Sequence, residues 1–476
     1  MPAPLHDLMI SNGTVATASD VFRADVAIRG GRIVAVGSGL GPARENIDAR
    51  GKLVLPGGID SHAHIEQLSA GGLMNADTFE SATRAAAFGG TTTVISFAAQ
   101  HKGMSLRKVV DDYAALAVRG AMVDYCFHMI ISDPTEATLR HDLPALIAEG
   151  HSSIKLFMTY DKLKVEDETL LDVLEVAREQ RALVCVHAEN HGMIAWMSRK
   201  LLAEGKTAPK YHATSHPRAS ESEAITRLIE AAALVDQPIM IFHVSTAEGA
   251  GIVGDARRQG LKVFAETCPQ YLFLTAADLD RPGLEGAKFM CSPPPRERSD
   301  QQALWQALAR GDLQVLSSDH APYRFDASGK LSAGPGSTFK QIANGLPGLE
   351  TRMPLLFDAM VSRKRPEFAG RALQSFVNLT ATQPASIYNL AGKGNISVGL
   401  DADIAIWDAG RRVTLCDELM VGNTGYTPFA GRTIKGWPET VLVRGKVVAH
   451  GGTVSGVPGS GRHIARGGGW AAEPAG

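Results

Sequence analysis

Hydrophobic and polar positions change period along this chain, and the change divides it. At Ile28-Arg29-Gly30-Gly31-Arg32-Ile33-Val34-Ala35-Val36, apolar residues flank a glycine pair, which predicts a hairpin turning at Gly30-Gly31. Residues 441–449 repeat the theme around Arg444-Gly445, and residues 403–407 add a strand before it. Two β-rich ends around a different middle predict one small β-sandwich built from both termini, residues 1–55 and 395–457. Two unrelated hairpins are the alternative.

The middle alternates short β-branched runs with longer helical stretches. Candidate strands fall at 53–60, 91–98, 124–131, 152–159, 182–189, 238–245, 262–269 and 313–320. Helical stretches such as 76–89, 167–180, 220–235 and 246–260 separate them, with Asp167, Ser220 and Thr246 as expected N-caps. Eight βα units predict an α/β fold, a (β/α)₈ TIM-type barrel over residues 56–394, whose chemistry sits at the carboxyl ends of its strands. The Gly/Ser/Lys-rich stretch 326–337 is expected as a loop near the barrel mouth. The tail, 458–476, is expected to be extended or ordered only against a neighbouring subunit.

Composition narrows the function classes. Hydrophobic residues make up 45% and charged residues 21% of 476 residues, as in a globular protein with a large core. Forty-eight basic against fifty acidic residues give a net charge of −2, which argues against nucleic acid or an anionic membrane as partner. No apolar run approaches the roughly 18 residues of a membrane span. Five scattered cysteines without a CxxC read as buried thiols in a reducing compartment, so a cytoplasmic enzyme is expected.

The chemistry-bearing residues gather at predicted strand ends. His62-Ala63-His64 closes the first barrel strand, and two imidazoles two apart on a strand face the same side. His187 ends strand five, His243 strand six and Asp319 strand eight. Any one of them is more often a core histidine or a capping aspartate; four strand ends together point to a divalent ion such as zinc. Lys155 lies inside the apolar fourth strand, where a buried ammonium is costly and would repel a cation. Carbamylated by carbon dioxide, it would become an anion able to bridge two metals. A buried lysine paired with a carboxylate is the plainer alternative. His128, within strand three, reads as a core histidine, and His101, His141 and His151 read as solvated. His320 reads either as an orienter of Asp319 or as a bystander.

These residues resemble the hydantoinase/dihydropyrimidinase family, cyclic amidohydrolases of the metal-dependent amidohydrolase superfamily. The resemblance spans nearly the whole chain, on Gly57-Gly58-Ile59-Asp60-Ser61-His62, Lys155-Leu156-Phe157-Met158-Thr159-Tyr160, Val186-His187-Ala188-Glu189-Asn190, Cys291-Ser292-Pro293-Pro294 and Asn344-Gly345-Leu346-Pro347-Gly348. It implies two divalent metal ions, zinc by preference, bridged by carboxylated Lys155. His62, His64, Lys155 and Asp319 would hold one, and Lys155, His187 and His243 the other. It further implies that Tyr160 donates to the developing oxyanion, that Ser292 and Asn344 position the ring's imide, and that Asp319 relays the proton. The expected reaction opens a dihydropyrimidine or 5-substituted hydantoin to an N-carbamoyl amino acid, in a homotetramer or dimer. Another cyclic imide, lactam or ureide is the nearer alternative; a non-catalytic assembly protein is the distant one.

Two loops depart from the family. After HxH its members continue with leucine, aspartate, methionine, proline and phenylalanine, whereas this chain reads Ile65-Glu66-Gln67-Leu68-Ser69. Asp161-Lys162 follows Tyr160. Gln67, Ser69 and Asp161 would make the substituent pocket less apolar if they point inward; facing solvent is the equal alternative. Glu66 is expected to repel a carboxylate-bearing ring of the dihydroorotate kind.

Overall fold

The computed structural model describes residues 5–69 and 71–467. Eight parallel strands follow one another in chain order around a nearly closed barrel: β1 (Gly58–Ala63), β2 (Thr91–Ala99), β3 (Asp124–Ile130), β4 (Ser153–Phe157), β5 (Leu183–His187), β6 (Ile239–Ile241), β7 (Val263–Thr267) and β8 (Val315–Leu316). An isolated parallel bridge between Ala63 and His320 draws the end of β8 towards β1, with the His64 amide donating to the His320 carbonyl at 2.6 Å. Period-two alternation sorts the side chains. Ile95 and Phe97 of β2 point to an inner cluster with Phe157, Cys185 and Phe242, while Val94 and Ala98 pack outward among residues of the surrounding helices.

Helices fill the crossovers at the expected places: Phe79–Phe88, Asp167–Gln180, Arg218–Leu234 and Ala247–Arg258. Thr246 caps the last of these, its hydroxyl accepting from the Gly249 amide at 3.0 Å. Asp167 and Ser220 are not caps. Glu166 and Pro217 hold those extended positions, and both expected caps lie inside the first turn. Pro217, with its fixed φ, starts the Arg218–Leu234 helix without a capping side chain.

The second sheet takes strands from both ends of the described chain. Its order is Thr453–Val454, Lys446–His450, Thr433–Val443, Ile404–Thr414, Leu53–Pro56, His6–Ala16, Val21–Arg29 and Arg32–Gly37, with Ala43–Asp48 also pairing with His6–Ala16. Both expected hairpins are present. Positive φ angles at Gly30 and Gly31, and at Arg444 and Gly445, set turns whose twist suits the flanking strands.

Three further expectations need correcting. The single strand expected over 53–60 is two, because the chain passes from one sheet to the other at Gly57. A Cβ there would lie 2.1 Å from Thr92 Oγ1, so only glycine passes so close to β2. The tail, described to Gly467, does not need a neighbouring subunit for order. It lies along the amino ends of β3 and β4: the Tyr125 amide donates to Arg462 O, the Ile464 amide to Tyr125 O, and the Arg466 amide to Gly150 O. Arg466 is buried, donating to Ser153 Oγ at 2.8 Å and to the Phe127 carbonyl. Residues 468–476 of that tail lie outside the described residues. His151, expected in solvent, is buried beneath the same segment, its ring parallel to Phe127 and 4.9 Å from that of His463.

Candidate metal centre and active site

The carboxyl ends of the barrel strands open on a cavity of about 410 Å³. His62, His64, Lys155, Tyr160, His187, His243, Ser292, Asp319 and Asn344 all line it. His62, His64 and Asp319 offer ligand atoms that lie within 4.8 Å of one another, with Asp319 Oδ1 3.1 Å from His62 Nε2 and 3.6 Å from His64 Nε2. On the other side, the rings of His187 and His243 stand 4.4 Å apart, and His243 is 5.4 Å from His62.

Several buried polar atoms here have no hydrogen-bond partner among the described residues: His62 Nε2, His243 Nδ1, Lys155 Nζ and Asn344 Oδ1. Each such group costs roughly 1–3 kcal/mol when buried unmet, and four in one cavity point to something that occupies it. The imidazoles are oriented for that role. Glu266 Oε1 accepts from His62 Nδ1 at 2.5 Å, Gln67 Oε1 from His64 Nδ1 at 2.7 Å, and Glu189 Oε2 from His187 Nε2 at 2.8 Å. Each bond fixes a tautomer and leaves the other ring nitrogen bare as a donor for a cation. Glu189 is held in turn by His216 Nδ1 at 2.9 Å.

Electrostatics separate the roles. Burial pushes the Asp319 carboxyl upward, but His62 and His64 outweigh it and hold it well below the ordinary carboxylate range. Burial pushes the Lys155 ammonium down from 10.5 to about 7, against a smaller opposing pull from Asp319. Nζ sits 4.1 Å from the Phe242 ring centroid and 4.7 Å from that of Phe157, and among the described residues no carboxylate is in ion-pair contact with it. The plainer alternative, a lysine neutralised by a carboxylate, is therefore absent at Lys155. Burial pushes the Tyr160 phenol up, so it stays a proton donor, hydrogen-bonded to Ser292. Tyr160, His243 and Asp319 have φ of 74°, 41° and 49°, left-handed geometry that is sparsely populated outside glycine and clusters at functional sites. Asn344 precedes Gly345, where a Cβ would lie 2.3 Å from the Ala321 carbonyl, so that backbone is pressed against the loop after β8.

Some side chains escaped the sequence reading. Glu266 sits within Val263-Phe264-Ala265-Glu266-Thr267, a carboxylate inside an apolar strand and the same anomaly that singled out Lys155. Gln67 carried no signal for its bond to His64. Lys330, fully buried in the mouth loop, donates to the carbonyls of Met290 and Ala343, next to the Ser292 and Asn344 segments. His128 is a core histidine as read, bonded to Ser153 Oγ and Ser61 O. His320 is no partner of the Asp319 side chain: its Nδ1 accepts from the Gly348 amide, and its Nε2 faces Asp77 Oδ2 at 3.2 Å. In the departing loops Gln67 and Ser69 face the cavity, while Asp161 is exposed and faces His191. Glu66 does not reach the cavity. Its carboxylate accepts from the Phe79 amide at 3.0 Å, at the start of the Phe79–Phe88 helix, so the repulsion expected of it does not arise.

An eight-stranded barrel with histidines and an aspartate converging at its strand ends defines a metal-dependent hydrolase of the barrel type. The chain belongs to the Amidohydrolase family, whose model matches residues 53–448. It is 41% identical over 459 residues to the D-hydantoinase of Rhizobium radiobacter, covering 96% of this chain and 98% of that one. It is likewise 41% identical to the D-hydantoinase of Ralstonia pickettii, covering 97% and 99%. Among solved structures, dihydropyrimidinase from Brevibacillus agri superposes with a TM-score of 0.93 at 40% identity, over 98% of this chain and 99% of that one.

Proposed function

We propose that this chain opens cyclic amides, dihydropyrimidines or 5-substituted hydantoins, to N-carbamoyl amino acids. The observation that carries the reading is Lys155: a buried amine without a hydrogen-bond partner, with a pKa of about 7, in a cavity shared with four histidines and Asp319. A substantial neutral fraction at neutral pH suits attack of its nitrogen on carbon dioxide, forming an N–C bond and releasing a proton. The resulting carbamate is an anion with two oxygens. His62, His64, Asp319 and one carbamate oxygen would hold one divalent ion, and His187, His243 and the other oxygen a second, with zinc matching the donor set. The bare His62 Nε2 and His243 Nδ1 fit that assignment. When bound, such ions supply Lewis acidity that polarises the ring carbonyl and acidifies water.

The chain's own groups do the rest. Ser292 and Asn344 hold the ring's imide, and the unmet Asn344 Oδ1 suits a ring N–H. As water adds to the carbonyl carbon, negative charge grows on the carbonyl oxygen and the Tyr160 hydroxyl donates to it, a role worth on the order of 3 kcal/mol. Asp319 takes the proton of the attacking water. It delivers that proton to the ring nitrogen as the C–N bond breaks, so a C–O bond replaces the amide and the proton count balances.

The test is to assay purified protein, supplied with zinc and bicarbonate, against dihydrouracil, hydantoin, 5-substituted hydantoins, allantoin and succinimide. Turnover of the first three, with about two metal ions bound per chain, is expected. Turnover of allantoin or succinimide alone would move the assignment to another ring, and absence of both metal and turnover would overturn it.

A further inference from the structure

The cavity is larger than its metal-facing floor, and part of its outer wall, at Gln67 and Ser69, belongs to the loop where this chain departs from the family pattern. Gln67, Lys340 and Gln341 supply polar side chains there. The amide oxygens are already taken: Gln67 Oε1 accepts from His64 Nδ1, and Gln341 Oε1 accepts from both the amide and the hydroxyl of Thr338 at 3.0 Å. Both glutamines are therefore left with donor nitrogens that no described residue engages. Lys340 is exposed and makes no ion pair among the described residues. The neighbouring acceptors are likewise turned inward. Ser69 Oγ accepts from the Leu73 amide at 3.0 Å, and Asn75 Oδ1 from the Gln67 amide at 3.1 Å.

The negative groups nearby have been drawn off. Glu66 is bonded to the Phe79 amide and Asp161 faces His191, which leaves Asp319, at the floor, as the only carboxylate lining the cavity among the described residues. The wall thus offers donors and one cation, with Leu73, Leu163 and Ile342 between them as an apolar path.

We propose that this wall recognises an anionic substituent on the ring, a carboxylate carried on a short methylene chain; the inference rests on the ring-opening reading above. The methylenes run past Leu73, Leu163 and Ile342, and the carboxylate meets Lys340 and the free nitrogens of Gln67 and Gln341. Charge-assisted bonds of this kind favour the anion over a neutral group of equal size.

The metal-loaded enzyme should be assayed on hydantoins bearing 5-(2-carboxyethyl), 5-(2-carbamoylethyl) and 5-(3-methylbutyl) groups, both enantiomers of each. The expected result is a kcat/KM for the acid about tenfold above either neutral analogue at low salt. That preference should shrink towards parity at about 0.5 M salt, because Lys340 is exposed and screened. Lys340→Gln should lower the acid-to-alkyl ratio about tenfold, and Lys340→Arg should restore most of it. A preference for the alkyl ring, or a ratio that neither salt nor Lys340→Gln moves, overturns the inference and leaves the ring-opening reading standing. Failure to open even unsubstituted hydantoin overturns both.

Discussion

The barrel buries lysines at its two ends in opposite ways. At the carboxyl end, Lys155 has aromatic rings around it and, among the described residues, no partner for Nζ. At the amino end, Lys393 is equally buried, but its Nζ lies 2.6 Å from Asp124, 2.6 Å from Asp403 and 3.0 Å from Asp401. Those carboxylates come from β3 and from the segment leading into Ile404–Thr414, so the ammonium ties the barrel to the second sheet. One lysine has its burial cost met inside the fold; the other leaves it open for something to be added. A buried charge with every partner present speaks for architecture, and a buried amine without one speaks for chemistry.

Substitution at each end should break the contrast differently. Lys155→Ala is expected to abolish turnover while leaving the metal-free melting temperature within a few degrees of the parent, as scanning calorimetry beside the activity assay would show. An equal loss of stability would remove the distinction between the two ends. Lys393→Met takes the ammonium from the buried Asp124 and Asp403 and the partly buried Asp401, and should cost about 3–5 kcal/mol in denaturant unfolding, with activity per folded molecule retained. Glu266→Gln takes the charge from behind His62 and should weaken metal affinity about 10- to 100-fold in chelator competition, with little change in secondary structure. Arg466→Met, at the amino end, loses the bonds to Ser153 and Phe127 and should cost about 1–3 kcal/mol without moving KM.

The smallest effect is one of pH. Burial, with His463 and Arg466 nearby, depresses His151 from 6.5 to about 3. Between those values the unfolded chain holds the extra proton, so stability is full above about pH 6.5 and falls as the pH drops towards 3. His151→Phe keeps the ring against Phe127 and should make that acid slope shallower in urea titrations from pH 7 to 4; an unchanged slope would show that other groups set it.

What could be read from the sequence follows the range of the forces involved. The eight strands and the rim residues His62, His64, Lys155, His187, His243 and Asp319 are legible because short β-branched runs, polar residues at their ends and a lysine inside one of them are local signals. The break at Gly57 is not, since it depends on how closely Thr92 packs, a neighbour distant in sequence. Glu66 misled for the same reason. Its charge was visible, but its destination at the Phe79 amide depended on how the loop folds back. His151 reads as solvated, and the tail as extended or ordered only against a neighbouring subunit, because histidines, glycines and arginines are ordinary surface residues. Pairing with the amino end of β3 buries Arg466 and covers His151, while Arg462, His463 and Gly467 stay exposed. Glu266 is the counterpart of Lys155, a carboxylate inside an apolar strand, and its role behind His62 depends on a contact between strands far apart in sequence.

The second sheet has a consequence for synthesis on the ribosome. Leu53–Pro56 pairs with His6–Ala16 on one side and with Ile404–Thr414 on the other, so its second neighbour is made only after the whole barrel has been translated. Until then that edge is an open strand at the foot of β1, exposed to the same strand of another nascent chain. Slow translation of the barrel would lengthen that exposure, and a heterologous host that crowds ribosomes on one message should yield this protein as aggregate more readily than one that spaces them.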